Sequence, residues 1–233
     1  MAREDVIVKS GHEFDHYFPK AKLITYTKKK GATVADTLLL IPDIVRQTAF
    51  QTRRFAKQVI KADTVEQTCR NLWQFVYDHI AYKKDEDGKE QVRSPARTWH
   101  DRHNKDANGN PMGVDCDCMS VFVVSVLYNL GIKNIFFRIT KYQEQHFEHI
   151  YPIVILPDGK QITIDCVVHH FNYETPYTEK KDTAMDLEYL NGVKDSTISR
   201  LTDTTDLMGI MDEREALSAL GRILKRKKSG GEG

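Results

Sequence analysis

Gly113-Val-Asp-Cys-Asp-Cys-Met-Ser-Val-Phe-Val-Val-Ser-Val-Leu-Tyr-Asn-Leu-Gly-Ile132 is the stretch on which the fold turns. From Cys116 to Leu130 it is apolar with few interruptions, which is long for a strand. It ends at Gly131, the residue type that most easily takes the left-handed conformation closing a helix. We expect a buried helix over 116–130, with Asp115 and Asp117 at its first turn. A cysteine placed there meets unpaired backbone N–H groups and the positive end of the helix dipole, both of which favour a thiolate. The two aspartates complement the same helix end and oppose ionisation of the sulfur between them.

Three strand-like runs follow, at 134–140, 149–156 and 161–167, the last two joined by Pro157-Asp-Gly-Lys160, which reads as a tight turn. His149 opens one run and Asp165 lies near the end of the next. A hairpin with its midpoint at residue 157 makes them near neighbours across the ladder. A thiol nucleophile needs a base within hydrogen-bond reach, and the base needs a third group to orient it. Cys116, His149 and Asp165 fill those roles, with His146 as the competitor for the base. Pro152 falls inside the second strand and predicts an edge position or a bulge. Cys166 faces away from Asp165 by strand alternation.

Upstream, apolar residues recur at three- and four-residue steps from Thr33 to Tyr82. The pattern predicts two helices broken near Ala62-Asp63-Thr64, with Asp63 or Thr64 capping the second. Residues 83–114 are rich in Asp, Lys, Asn, Gly and Pro and show neither period. A connection so long inside a compact domain is more often functional than decorative. Residues 1–32 read as an N-terminal arm with one short strand in 21–27. Residues 33–205 read as the main domain, and 206–233 as a C-terminal helix, at 212–227, ending in a basic tail.

The chain has 233 residues, 40% hydrophobic and 29% charged, enough for one well-buried core. Thirty-four Lys and Arg balance 33 Asp and Glu, so a net charge of +1 supplies no field to gather nucleic acid or anionic lipid. No apolar stretch approaches the roughly 20 residues of a membrane helix, and Met-Ala-Arg-Glu-Asp lacks a signal peptide's hydrophobic segment, so a soluble cytoplasmic protein is expected. The four cysteines, at 69, 116, 118 and 166, form no disulfide framework and are read as reduced, with 69, 118 and 166 as core residues. Zinc on Cys116, Cys118, His146 and His149 is the rival chemistry, but a Cys-x-Cys pair on a helix is cramped for a tetrahedral ion. No metal or cofactor is expected.

The quoted stretch resembles the nucleophile helix of bacterial transglutaminase-like proteins of the papain-like cysteine peptidase superfamily, with its Asp-Cys start and Leu-Gly-Ile end. Cys116, 15 residues before Gly131, matches the family's spacing, whereas Cys118 is 13 away. His149-Ile-Tyr-Pro-Ile-Val resembles the family's His-aromatic strand, and Ile162-Thr-Ile-Asp165 its strand ending in Asp; together the likeness spans about Gln67 to Val168. It implies an α+β fold, a papain/transglutaminase-like core with the nucleophile helix packed on an antiparallel sheet and additional N-terminal helices. It also implies a thiol-dependent amide hydrolase or acyl transferase acting on a peptide or protein through Cys116, His149 and Asp165. The backbone N–H of Cys116 is expected to be one oxyanion donor, and a side chain among Trp99, His100 and Gln91 the second. The alternative is a non-catalytic binding or assembly protein on the same scaffold. Because the resemblance extends to proteins of bacteria and their phages, incorporation in a phage virion belongs among the expectations.

Overall fold

A computed structural model describes residues 6–20, 23–28, 31, 33–86, 90–185, 189–190 and 193–194. Two compact units divide the chain, Met1–Asp186 and Leu187–Gly233. In the second, the described residues form one small hairpin, strands β7 (Tyr189–Leu190) and β8 (Val193–Lys194). The helix expected at 212–227 lies outside the described residues.

The first unit begins with a 3-10 segment, His12–Tyr17, and strand β1, Thr25–Lys28. Helix α1, Val34–Thr48, continues through a 3-10 turn at Ala49–Thr52, a single helical turn α2 at Arg53–Phe55 and a wide turn at Ala56–Ile60. The first expected helix is thus several pieces. The second, α3 (Val65–His79), starts at the expected break, where the Thr64 hydroxyl accepts the Gln67 N–H at 3.1 Å.

The polar stretch at 83–114 holds more structure than its composition suggests. Strand β2 (Glu90–Arg93) pairs antiparallel with β1, and helix α4 (Pro95–His100) opens with proline at its first position. Both are too short for a period to show. In β2 only Val92 is fully buried, and α4 is fixed by burial of Ala96 and Trp99.

Helix α5, Cys116–Asn129, is the central element, with every residue from Cys116 to Leu127 buried. It closes as its glycine predicts: Gly131 has φ 71°, and the Ile132 N–H returns to the Leu127 carbonyl at 3.1 Å. Burial on all sides is possible because α5 packs on one side against strand β4 (His149–Ile155) and on others against α1, α3 and α4. Phe122 meets Phe18, Phe55 and Phe75 with ring centroids 5.6, 5.9 and 6.5 Å apart. Each such side chain contributes about 1.5–3 kcal/mol by leaving water.

Strand β3 (Ile135–Lys141), β4, β5 (Gln161–Thr163) and β6 (Glu179–Ala184) form an antiparallel sheet in the order β5-β4-β3-β6. The α+β architecture expected from the sequence is therefore present. One sheet face carries Phe137, Ile139, Ile150 and Val154, all buried. The other carries Arg138, whose guanidinium forks onto Asp182 at 2.7 Å twice and reaches Glu174 at 2.5 Å. That fork ties exposed β6 to the sheet, a strand the polar sequence after Phe171 did not announce.

Pro152 is neither on an edge nor in a bulge. Strand β4 is internal and its register with β3 runs unbroken from Ile135↔Val154 to Thr140↔His149. The proline carbonyl accepts the Ile164 N–H at 3.0 Å, so its backbone polar edge faces β5 where that ladder is ending. A missing donor there removes little pairing.

Candidate active site

The β4–β5 ladder pairs Ile155↔Gln161 and Ile153↔Thr163, so it is centred on Asp158 rather than on residue 157. Continued in register, it would set His149 opposite Val167. Strand β5 ends at Thr163, the Ile164 N–H still reaching the Pro152 carbonyl at 3.0 Å. Asp165 is then diagonal to the histidine rather than opposite it, and His149 Nε2 lies 2.9 Å from Asp165 Oδ2, with the carboxylate 1% exposed.

Three contacts fix Asp165. Its Oδ1 accepts the Val167 N–H at 3.0 Å, its Oδ2 meets the imidazole, and its backbone carbonyl accepts the Trp73 indole N–H from α3 at 2.7 Å. Trp73 reads as a core residue of an amphipathic helix in the sequence, and it is buried. Its bond to the carbonyl of residue 165 had no sequence signal, because the two are 92 positions apart.

A carboxylate oxygen only accepts, so Nε2 carries the ring proton and Nδ1 holds the lone pair of the neutral imidazole. Nδ1 has no hydrogen-bond partner among the described residues. Burial alone would depress this histidine, but Asp165, by charge and hydrogen bond, and then Asp115 hold it above its ordinary value. Tyr151 and Tyr142 flank the ring, with centroids 5.3 and 6.4 Å away. Tyr142 stands on a turn braced by Glu148, whose carboxylate accepts the N–H groups of Tyr142, Gln143 and Glu144. The Tyr142 phenol is pushed up to about 12, by burial first and, among its neighbours, by Asp165 and Cys116.

Cys116 occupies the first position of α5, 3% exposed. Its sulfur takes a hydrogen bond from the N–H of Ile150, the residue after His149. Ser120, one turn along, bridges the Cys116 carbonyl at 2.8 Å and the Ile150 carbonyl at 3.3 Å. The first turn of α5 therefore docks on the stretch of β4 that β5 leaves unpaired, and this places the thiol beside the His149 backbone. The structure joins His149 to Asp165 directly; it does not hydrogen-bond Cys116 to His149.

The thiol is also not the ready thiolate that a helix N-terminus suggests. Burial, then Asp115 and Asp117, push Cys116 well above its ordinary value, against a smaller opposing pull from the Ile150 N–H. Nor is the Cys116 N–H open as an oxyanion donor: it donates to Asp115 Oδ1 at 2.6 Å. Asp115 acts as the helix cap that its position suggests.

Of the three candidate side-chain donors, Trp99 and His100 belong elsewhere. Trp99 is fully buried, stacks on Phe18 at 4.6 Å and gives its indole N–H to Asp15 at 2.8 Å. His100 faces the N-terminal segment: burial and Lys20 depress it, and the Phe18 backbone bonds it. Gln91 is the one near α5. Its carbonyl accepts the Cys118 thiol at 3.0 Å and its Oε1 accepts Arg93 at 2.9 Å, with no partner for the side-chain NH2 among the described residues. It lines a surface cavity of about 250 Å³ together with Arg93, Met112 and Gly113.

Cys69, Cys116, Cys118 and Cys166 are free thiols, all buried. Burial and Glu66 push Cys69 up to about 12, and burial and Asp117 push Cys118 well above its ordinary value. Among the described residues the cysteines and histidines considered for zinc form no cluster; the grouped metal-type side chains are Asp85, Glu90 and Asp115. No described helix is long and apolar enough to cross a membrane.

No family model matches this sequence, and no curated protein does. Among solved structures the chain is similar to Legionella pneumophila LapG (calcium-bound), at 12% identity and a TM-score of 0.40, over 65% of this chain and 82% of that one. A likeness of that size is one of outline and carries nothing about activity.

Proposed function

We propose that the protein is a thiol-dependent amide hydrolase or acyl transferase of the transglutaminase-like kind, with Cys116 as nucleophile and His149 as its base. Asp165 positions the base. The observation that carries this reading is the 2.9 Å contact between His149 Nε2 and Asp165, which leaves Nδ1 as the proton acceptor on a strand whose next amide touches the Cys116 sulfur.

The chemistry follows from those groups. Rotation about the Cys116 Cα–Cβ bond carries the sulfur from the Ile150 amide toward Nδ1. The thiol proton passes to Nδ1 as sulfur bonds to the carbonyl carbon of the amide, and the carbonyl oxygen takes the negative charge. The imidazolium then protonates the departing amine as the C–N bond breaks, leaving a thioester. Water or a second amine attacks the thioester, gives its proton to His149, and the thiol is restored. A raised thiol means that the base acts in concert with attack rather than resting in an ion pair. Gln91 Nε2 is the side-chain donor available to the oxyanion.

A second reading has a specific observation in its favour. Cys116 is buried with both its sulfur and its N–H engaged, as suits a binding or assembly protein that keeps the scaffold without turnover. Labelling with iodoacetamide, mapped by mass spectrometry, separates the two. Catalysis requires Cys116 to react at least about tenfold faster than Cys69, Cys118 and Cys166, and the rate to fall in His149→Ala. Slow and uniform labelling of all four thiols rejects the enzyme.

A further inference from the structure

One side chain restrains Cys116 in three ways. The Cys116 N–H donates to Asp115 Oδ1 at 2.6 Å. Burial, then the charge of that carboxylate, push the thiol well above its ordinary value, and a hydrogen bond between the thiol and Asp115 adds to the push. The other oxygen, Oδ2, accepts the Asp85 N–H at 2.9 Å, so the carboxylate is fixed through both oxygens, and Asp115 is buried. A capping side chain ordinarily takes the N–H of the second or third helical residue. Asp115 takes that of the first, the residue that bears the sulfur.

That N–H is the one an acyl reaction at Cys116 needs. As sulfur bonds to a carbonyl carbon, the carbonyl oxygen turns negative and is stabilised by N–H groups beside the nucleophile. A carboxylate oxygen on the Cys116 N–H is a negative oxygen already in that place. Its charge also disfavours the thiolate. The other groups acting on the thiol are Asp117, which pushes it up, and the Ile150 N–H, which pulls it down. Across the site, burial depresses His149, while Asp165 and then Asp115 hold it up. Tyr142 stands within the field of both Cys116 and Asp165.

We propose that Asp115 is an inhibitory positioning residue. Its carboxylate stands where the oxyanion of the acyl reaction forms and must leave the Cys116 N–H before that donor can serve. The role presupposes the acyl-transfer reading and adds a restraint on that same site. The residue that fixes the carboxylate is within reach of a ligand: Asp85, Gln91 and Gly113 all line the surface cavity of about 250 Å³. An occupant of that cavity therefore meets the segment whose N–H holds Asp115 in place.

Two reagents that reach the same sulfur separate the oxyanion from the thiolate. Iodoacetamide is alkylated onto sulfur by displacement of iodide and develops no oxyanion. p-Nitrophenyl acetate is attacked at its carbonyl carbon, passes through an oxyanion, and loses p-nitrophenolate as the C–O bond breaks. Both rates at Cys116 are followed by mass spectrometry from about pH 6 to 10 in the parent, Asp115→Asn and Asp115→Gly, with circular dichroism checking each fold. Asparagine keeps an oxygen on the N–H and removes the charge. Glycine removes both and begins a helix nearly as well. In Asp115→Asn the pH midpoint of both reactions should fall, and both rates at neutral pH should rise about tenfold with their ratio unchanged. In Asp115→Gly the ratio of acylation to alkylation should rise about 10²-fold over the parent, the effect of one oxyanion donor. A ratio in Asp115→Gly equal to the parent's, or an unmoved midpoint in Asp115→Asn, would overturn the role, because a merely structural cap changes neither. If the glycine variant does not fold, the asparagine midpoint decides alone. Failure of the acyl-transfer reading shows elsewhere, in the parent, as Cys116 labelling that ignores His149→Ala.

Discussion

Replacing Trp73 by Phe isolates the bond that anchors the carboxylate of the site. The indole N–H gives a 2.7 Å hydrogen bond to the Asp165 carbonyl, and no other described group donates to that oxygen. Phenylalanine keeps an aromatic ring beside Tyr77, whose ring stacks on Trp73 with centroids 5.0 Å apart, but it removes the donor. An orphaned buried carbonyl costs about 1–3 kcal/mol, and the space left by the smaller ring adds about 1 kcal/mol. For a chain of this size each kcal/mol lowers Tm by about 2–4 °C, so the variant should melt roughly 4–16 °C lower. Circular dichroism measures this without any substrate. Imidazole NMR gives the functional half: with Asp165 less firmly held, the titration of His149 should move down toward its ordinary value. If Tm stays within about 1 °C of the parent while His149 titrates unchanged, Trp73 does not position the carboxylate.

Asp165→Asn tests the same carboxylate through its charge. His149 is raised in the folded protein, so it adds stability that is complete below the ordinary imidazole value and lost as pH rises through the folded one. In Asp165→Asn that pH dependence should flatten, as followed by unfolding across pH 5 to 9. Asparagine can also donate to Nε2 and move the ring proton to Nδ1, so amide turnover should fall by about 10²- to 10⁴-fold; a smaller loss would remove Asp165 from the mechanism. Gln91→Ala should lower turnover by about 10²-fold while leaving the iodoacetamide rate of Cys116 unchanged, since it acts on the oxyanion and not on the thiol. A matching fall in both rates would mean that Gln91 instead shapes the thiol's surroundings.

Much of the scaffold was legible because local rules governed it. The apolar run from Cys116 and the glycine at 131 marked a buried helix and its end, and Pro157-Asp-Gly-Lys160 marked the hairpin. The Thr64 cap was readable for the same reason. Strand β2, helix α4 and strand β6 were not, because each is held by a few distant partners: β2 by β1, α4 by the burial of Trp99, β6 by the Arg138 fork. Short elements carry too few residues for a period to emerge.

The candidate site divides in the same way. Sequence alone supplied the residue types and their order, because hydrophobic patterning marks a buried helix beginning with cysteine and a hairpin with His149 on one arm, although the second strand stops at Thr163, short of Asp165. Only the tertiary structure decided how those groups are poised. Asp165 meets the imidazole diagonally across the ladder, Trp73 holds it from 92 residues away, and Asp115 both occupies the Cys116 N–H and joins Asp85 and Glu90. The physical reason is that a side chain's charge state and bonding depend on what burial removes and on which distant groups replace the lost water. Neither quantity has a period along the chain.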